Sequence, residues 1–172
     1  TGEFLEYVAD NAPNARVMFS TNGVYFNEKH AQAVVNAAQK IPITIMVSLH
    51  GSNQENTRKY MGETFQFNKA FNNLCYLKSI KLEACDIEII WKYVLFSWND
   101  SDEAIAEVKQ RAEIAGVQKI HFILTKQPSP SKRFLVGSQA WQDFGKDMVY
   151  SQAQVFEYQV PKKSVVLKSG LR

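Results

Sequence analysis

The sequence predicts an α/β protein built on a parallel sheet, and three observations support this fold class. Residues 43–47 form an apolar run, Ile-Thr-Ile-Met-Val, that is too dense for a strand with one face in water. Helical and extended patterns alternate along residues 1–126, as consecutive βαβ units require. Each predicted strand is followed by polar residues, and the carboxyl ends of parallel strands meet at one edge of a sheet.

The first half of the chain gives clear element signals. Residues 3–11 have the spacing of an amphipathic helix, which ends before Pro13 because the residue preceding a proline leaves the helical region. A strand is predicted over 15–19 and a helix over 27–39, whose apolar residues recur every three or four positions. Pro42 ends that helix and leads into the strand at 43–47. Helices over 56–61 and 65–78 follow.

The second half continues the alternation up to residue 124. Residues 87–96 are rich in β-branched and aromatic side chains and predict a third strand. Asp100 is expected to cap the next helix with Glu103 three residues later, Glu107 and Arg111 are expected to pair, and Gly116 to end the helix. Residues 119–124 are the last clear strand. Residues 127–172 form a C-terminal extension that packs on this first unit; within it, 155–160 and 165–167 are either short strands or a packing arm.

Composition excludes several classes of function. The 172 residues carry a net charge of +3 without a long basic run, so no nucleic-acid binding is predicted. No apolar stretch approaches the roughly 20 residues that span a membrane. Cys75 and Cys85 are too few to hold a zinc ion or an iron–sulfur cluster by themselves. Two buried, reduced cysteines are typical of a cytoplasmic protein.

Polar clusters follow the four predicted strands at residues 20–23 (Ser-Thr-Asn-Gly), 48–51 (Ser-Leu-His-Gly), 98–101 (Trp-Asn-Asp-Ser) and 125–126 (Thr-Lys). Each cluster alone is explained as a turn or a helix cap. Their shared position at the carboxyl ends of the strands predicts a binding site at that edge.

The ordered set Phe-Ser-Thr-Asn-Gly (19–23), Val-Ser-Leu-His-Gly (47–51) and Trp-Asn-Asp-Ser (98–101) resembles the radical S-adenosylmethionine superfamily over residues 1–126. In that family a partial (β/α) barrel holds a [4Fe-4S] cluster and S-adenosylmethionine. The resemblance implies that this chain carries strands three to six of such a TIM-type barrel. His50 is a departure, because the family often has aspartate there.

Two family motifs are missing. No Cys-x-x-x-Cys-x-x-Cys run is present, so no metal ligand is assigned. Gly2 and Glu3 do not replace the family's Gly-Gly-Glu-Pro-like motif, because Glu3 lies only 17 positions before Ser20 and already enters a helix. The resemblance therefore implies a chain that begins after the second strand. The missing N-terminal part of the barrel, or another chain, would cover its open sheet edge.

The resemblance assigns cofactor contacts residue by residue. Ser48 matches the position that contacts the ribose or carboxylate of S-adenosylmethionine, and Ser20 and Asn22 lie on the same predicted rim. His50 either faces a ligand or bonds to the backbone. The remaining three candidates either form an apolar slot for adenine or pack in the core: Tyr93, Phe122 and Leu124. His30 and His121 receive no role, and no catalytic residue is assigned.

Two hypotheses for function follow. The first is part of a radical S-adenosylmethionine enzyme, which generates a 5′-deoxyadenosyl radical for hydrogen abstraction from an unknown substrate; this chain alone is expected to be inactive. The second is a binding or scaffold module of the same fold, without a cluster, that binds a nucleotide-like ligand or a protein partner.

Overall fold

The computed structural model describes residues 2–151 and 154–161. The predicted strand at 165–167 lies outside these residues. Six helices and six strands are formed in the described part of the chain: α1 (Gly2–Asn11), β1 (Val17–Thr21), α2 (Glu28–Ala38), β2 (Ile43–Ser48), α3 (Gln54–Met61), α4 (Phe67–Ile80), β3 (Ile87–Leu95), α5 (Asp102–Ile114), β4 (Lys119–Leu124), α6 (Gln139–Gly145), β5 (Val149–Ser151) and β6 (Val155–Gln159).

The sheet confirms the predicted fold class. Its strand order is β1-β2-β3-β4-β6-β5, and the first four strands are parallel to their neighbours. Helices lie between the successive parallel strands, as in part of a (β/α) barrel. The carboxyl ends of β1 to β4 therefore lie along one edge of the sheet, which is called the rim below.

The chain after residue 126 joins the same sheet. Strand β6 pairs antiparallel with β4, from Lys119 opposite Gln159 to Ile123 opposite Val155, and β5 pairs antiparallel with β6. Phe156 is 1% exposed and contacts the rings of Trp141, Phe144 and Tyr150. This hairpin covers the edge of β4 and extends the hydrophobic core.

The two faces of the sheet differ in their cover. The outer face carries Ile45, Val47, Trp91, Tyr93 and Phe122, which are all buried in the core that includes α2, α4 and α5. Strand alternation places the intervening residues on the other side. This inner face is defined by Met18, Ser20, Met46, Ser48, Lys92, His121 and Glu157, all of them half-buried or exposed. Within the described residues, the outer face is therefore buried, whereas the inner face is partly exposed and also carries the buried side chains of Thr44 and Ile90.

One predicted helix cap is wrong. Ser101, not Asp100, caps α5, because its side chain accepts a hydrogen bond from the Ala104 amide at 3.2 Å. Asp100 instead accepts a hydrogen bond from the Ser131 hydroxyl at 2.5 Å. The predicted pair of Glu107 and Arg111 is present, with 3.0 Å between Oε1 and Nη2. Gly116 has a φ of 68° after α5, as predicted.

None of the helices within residues 2–151 and 154–161 is long and apolar enough to cross a membrane.

Replacement of Phe156 tests whether the β5–β6 hairpin shares the core of the parallel sheet. We expect Phe156→Ala to lower the free energy of unfolding by about 3–5 kcal/mol in a single transition, since a large buried ring is removed. Urea unfolding followed by far-UV circular dichroism measures this. Val149→Ala is the control, because Val149 is 67% exposed. A Phe156→Ala loss equal to that of the control would show that the hairpin folds apart from the sheet.

Candidate functional site at the rim of the sheet

Ser20 and Ser48 lie on the inner face near the rim. Ser20 pairs in register with Met46 on β2, two residues before Ser48, so the two serines occupy the same face of adjacent strands. Strand geometry places their Cα atoms about 8 Å apart. Ser20 is exposed and Ser48 half-buried. The structure therefore brings together two of the predicted cofactor contacts.

Asn22 lies just beyond β1 and shapes the turn there. Its Oδ1 accepts a hydrogen bond from the Val24 amide at 3.2 Å, and Thr21 Oγ1 accepts one from the Gly23 amide at 3.0 Å. Gly23 has a φ of 79°, and a Cβ there would lie 3.1 Å from Ala70 Cβ. The Asn-Gly turn thus has a structural role, and the exposed Asn22 side chain remains accessible at the rim.

Tyr93, Phe122 and Leu124 do not join these residues. Tyr93 follows Lys92 and so points to the outer face, where it meets the Phe122 ring at a centroid distance of 5.5 Å. Leu124 pairs with Leu95 on the same face and is packed against the core. Burial raises the pKa of Tyr93, which stays a neutral phenol and donates to the Asn99 carbonyl at 2.8 Å. The placement of all three matches the core-packing interpretation.

His50 is buried at the rim, with 8% of its surface exposed. Its ring meets the edge of Tyr60 at 5.1 Å, and its Nδ1 has no hydrogen-bond partner among the described residues. Burial, with a smaller effect of the Lys92 charge, lowers the pKa of His50 to about 4. The imidazole is therefore neutral at pH 7.

Asn99 holds this part of the rim together, and sequence analysis did not single it out. Its side chain is fully buried and makes three hydrogen bonds: Nδ2 donates to the carbonyls of His50 and Val94 at 3.0 Å, and Oδ1 accepts from the Phe96 amide at 2.7 Å. These bonds join the end of β2 to the end of β3. The only sequence signal was the Trp-Asn-Asp-Ser motif itself, which is also an ordinary cap sequence.

Glu107 fastens the loop after β2 to helix α5. Its Oε2 accepts hydrogen bonds from Ser52 Oγ at 2.6 Å and Asn53 Nδ2 at 3.0 Å, while Arg111 donates to Oε1. Burial alone would raise the pKa of Glu107, but the hydrogen bonds from Ser52, Arg111 and Asn53 outweigh it and hold the pKa below its ordinary value. Asn53 also caps α3, the helix that carries Tyr60. The anchored loop thereby sets the position of Tyr60 against His50.

The residues of this chain do not fit a [4Fe-4S] cluster. Cys75 lies in α4, in the helical layer, and burial raises its pKa, whereas a cluster ligand is a thiolate. Cys85 precedes β3 at the edge opposite the rim, and its Sγ donates to the Val35 carbonyl at 3.5 Å. Within residues 2–151 and 154–161, no group of three or more Cys, His, Asp or Glu side chains is placed to hold a metal ion.

Asn99 provides a test of the rim geometry. Asn99→Ala leaves three buried backbone groups without partners, so we expect the free energy of unfolding to fall by about 3 kcal/mol or more. Asn99→Asp should be no better, because a carboxylate would face two carbonyl oxygens. Asn11→Ala is the control, since the Asn11 side chain donates to the Tyr7 carbonyl on an exposed helix end. Urea midpoints measure all three, and equal losses for Asn99→Ala and Asn11→Ala would contradict the assignment.

The lowered pKa of His50 predicts a pH dependence of stability. Between pH 6.5 and about 4 the unfolded chain binds a proton at His50 and the folded chain does not, so acidification favours unfolding. From pH 7.5 to 4.5 we expect the wild-type protein to lose about 2.5 kcal/mol more than His50→Gln. Unfolding in urea at each pH measures the difference. His30→Gln, a change on the surface of α2, is the control, and identical pH profiles for wild type and His50→Gln would contradict the prediction.

The fold is shared with solved structures of TYW1, a radical S-adenosylmethionine enzyme. A structure of TYW1 with a lysine–pyruvate adduct bound aligns with a TM-score of 0.59 and 15% identity, over 92% of this chain and 51% of that chain. A crystal structure of archaeal TYW1 aligns with a TM-score of 0.54 and 15% identity, over 92% of this chain and 50% of that one. The chain thus spans about half the length of each.

The sequence matches no protein-family model and no curated protein. At 15% identity the likeness to TYW1 establishes a common fold. That fold is the partial barrel with a six-stranded, mostly parallel sheet described above.

Proposed function

We propose that this chain is the part of a radical S-adenosylmethionine enzyme that contributes neutral hydrogen-bonding groups to the bound cofactor. The single observation that carries the proposal is the placement of Ser20 and Ser48 on the open inner face of adjacent parallel strands, at the rim. Ligands of parallel α/β folds bind at that end of the strands. The shared fold with TYW1 supports the same interpretation.

The donor set suits S-adenosylmethionine. The hydroxyls of Ser20 and Ser48 are neutral, and the ribose and the amino-acid end of the cofactor offer both donors and acceptors. In the intact enzyme, S-adenosylmethionine with a [4Fe-4S] cluster supplies the radical chemistry. The cluster ligands would come from outside the residues of this chain, since Cys75 and Cys85 lie away from the rim.

The partner in this proposal is a further parallel strand at β1. Among the described residues, β1 pairs with β2 on one side, and its other edge is open. An open edge next to an uncovered sheet face needs protection from non-specific pairing. A further segment of the same barrel, or another chain, would supply this strand. A cytoplasmic location belongs to the same proposal, because both cysteines are free.

A cluster-free binding module of the same fold is the second candidate. The observation that favours it is the poor fit of Cys75 and Cys85 to a cluster, combined with an open inner face. Such a module would use Ser20, Ser48 and His50 to bind a nucleotide-like ligand or a protein partner. It differs from the first candidate in having no cluster from any source.

Equilibrium dialysis with labelled S-adenosylmethionine tests the cofactor role of the rim. We expect saturable binding to this chain and a fivefold to tenfold weaker affinity, roughly one hydrogen bond, for Ser48→Ala. Ser79→Ala is the control, because Ser79 lies at the exposed end of α4 and donates to the Tyr76 carbonyl. No saturable binding, or equal affinities of Ser48→Ala and the wild-type protein, would contradict the proposal.

Anaerobic treatment of the same protein with iron and sulfide tests whether the ligands of the cluster lie within this chain or outside it. We expect no stoichiometric [4Fe-4S] absorbance on this chain. A stoichiometric cluster would show that Cys75 and Cys85, or other side chains, serve as ligands after all.

A further inference from the structure

Lys92 is a half-buried cation on the inner face whose charge is not neutralised by an ion pair. It pairs in register with Ser48 on β2 and His121 on β4, so it stands in the row of side chains next to the rim. Its ammonium group makes no ion pair or hydrogen bond within ranges 2–151 and 154–161. A partly desolvated ammonium without a partner is costly, and a bound anion would stabilise it.

The other charged residues of the inner face form one network, in which a single lysine is shared by two glutamates. Lys119 contacts Glu88 at 2.9 Å and Glu157 at 3.7 Å, and Glu157 also contacts His121 Nε2 at 3.0 Å. This network occupies the β4–β6 side of the face and its amino-terminal end. Lys92 takes no part in this network, and Glu157 lies in the same row of side chains two strands away, beyond His121.

His50 adds a second unpartnered polar group beside Lys92. His50 lies two positions after Ser48, the register partner of Lys92, and its carbonyl accepts a hydrogen bond from Asn99 Nδ2. The Lys92 charge reaches the imidazole, because it contributes to the lowered pKa of His50. Nδ1 is buried without a partner, which costs free energy until a ligand atom bonds to it. In the tautomer protonated at Nδ1, His50 is a hydrogen-bond donor.

Tyr60 provides an apolar wall next to these two groups. Its ring packs against the rings of His50 and Phe96, with centroid distances of 5.1 Å and 4.9 Å. Trp98 stacks on Phe96 at a centroid distance of 4.6 Å. Tyr60 is 45% exposed, so part of the ring faces solvent. A ligand that reaches Lys92 and His50 would meet this exposed ring.

We propose that Lys92 and His50 bind the carboxylate of a small organic acid whose apolar body rests against Tyr60. One ammonium matches one negative charge, and a charge-assisted hydrogen bond to each carboxylate oxygen uses both groups. Glu88 and Glu157 on the same face oppose a doubly charged group such as phosphate. This site takes a substrate rather than the cofactor, and it does not rest on the cofactor role of Ser20 and Ser48.

Titration of the wild-type chain with benzoate, without S-adenosylmethionine, tests the site. The readout is the imidazole NMR signal of His50, assigned by its absence in His50→Gln. We expect a saturable shift, and about tenfold or greater weakening in Lys92→Met. Lys92→Arg retains the charge and should retain most of the affinity. Lys132→Met removes an exposed lysine and should bind benzoate as the wild type does.

Two further probes test whether the carboxylate is the group that the site binds. Benzyl alcohol has the same ring without the charge and should not produce the saturable shift, and inorganic phosphate should bind more weakly than benzoate. Equal binding of benzoate and benzyl alcohol, tighter binding of phosphate, or unchanged affinity in Lys92→Met would each overturn the proposal. Urea midpoints of the Lys92 variants establish that they are folded. The titration contains no S-adenosylmethionine, so a negative result would not contradict the cofactor proposal, which the equilibrium dialysis tests separately.

Discussion

The geometry of the rim depends on how the last backbone groups of two parallel strands find hydrogen-bond partners. Where β2 and β3 end, the backbone carbonyls no longer pair with a neighbouring strand. They need other hydrogen-bond partners, because buried backbone groups without partners are strongly destabilising. The Asn99 amide solves this for both strands, since it bonds to His50 and Val94 and accepts from Phe96. A single buried side chain thus fixes the spacing between the two strand ends at which the candidate site lies.

Neighbouring contacts extend this constraint into the site. Trp91 donates from Nε1 to the Leu49 carbonyl at 2.6 Å, just before His50. On the other side, Glu107 fixes the loop that leads into α3, and α3 brings Tyr60 against His50. His50 is therefore held by its backbone and by its ring contact, while its Nδ1 stays without a partner among the described residues. Two other buried polar atoms of this region, Thr57 Oγ1 and Trp98 Nε1, likewise have no partner among the described residues.

Periodicity and turn residues predicted the order of elements from α1 to β4, because these signals act over a few residues. What they could not supply is register. Whether Tyr93 shares a face with Ser48 depends on which β3 residue pairs with Ser48, and that residue is Lys92. Tyr93 therefore lies in the core, and Lys92 lies at the site. The same limit applies to Asp100, a good cap residue in sequence that bonds instead to Ser131, 31 positions away.

The hairpin of β5 and β6 has a further consequence for how the barrel is completed. Its antiparallel pairing with β4 could not be read from the sequence, since it depends on the approach of two distant segments. It occupies the edge at which a further parallel strand would otherwise continue from β4. It also brings Glu157 onto the inner face, where it binds Lys119 and His121. Among the described residues, the edge of the parallel part of the sheet that stays unpaired is that of β1, which carries Ser20. A strand that paired there in parallel would place its own carboxyl end beside Ser20, because the carboxyl ends of parallel strands meet at one edge of a sheet.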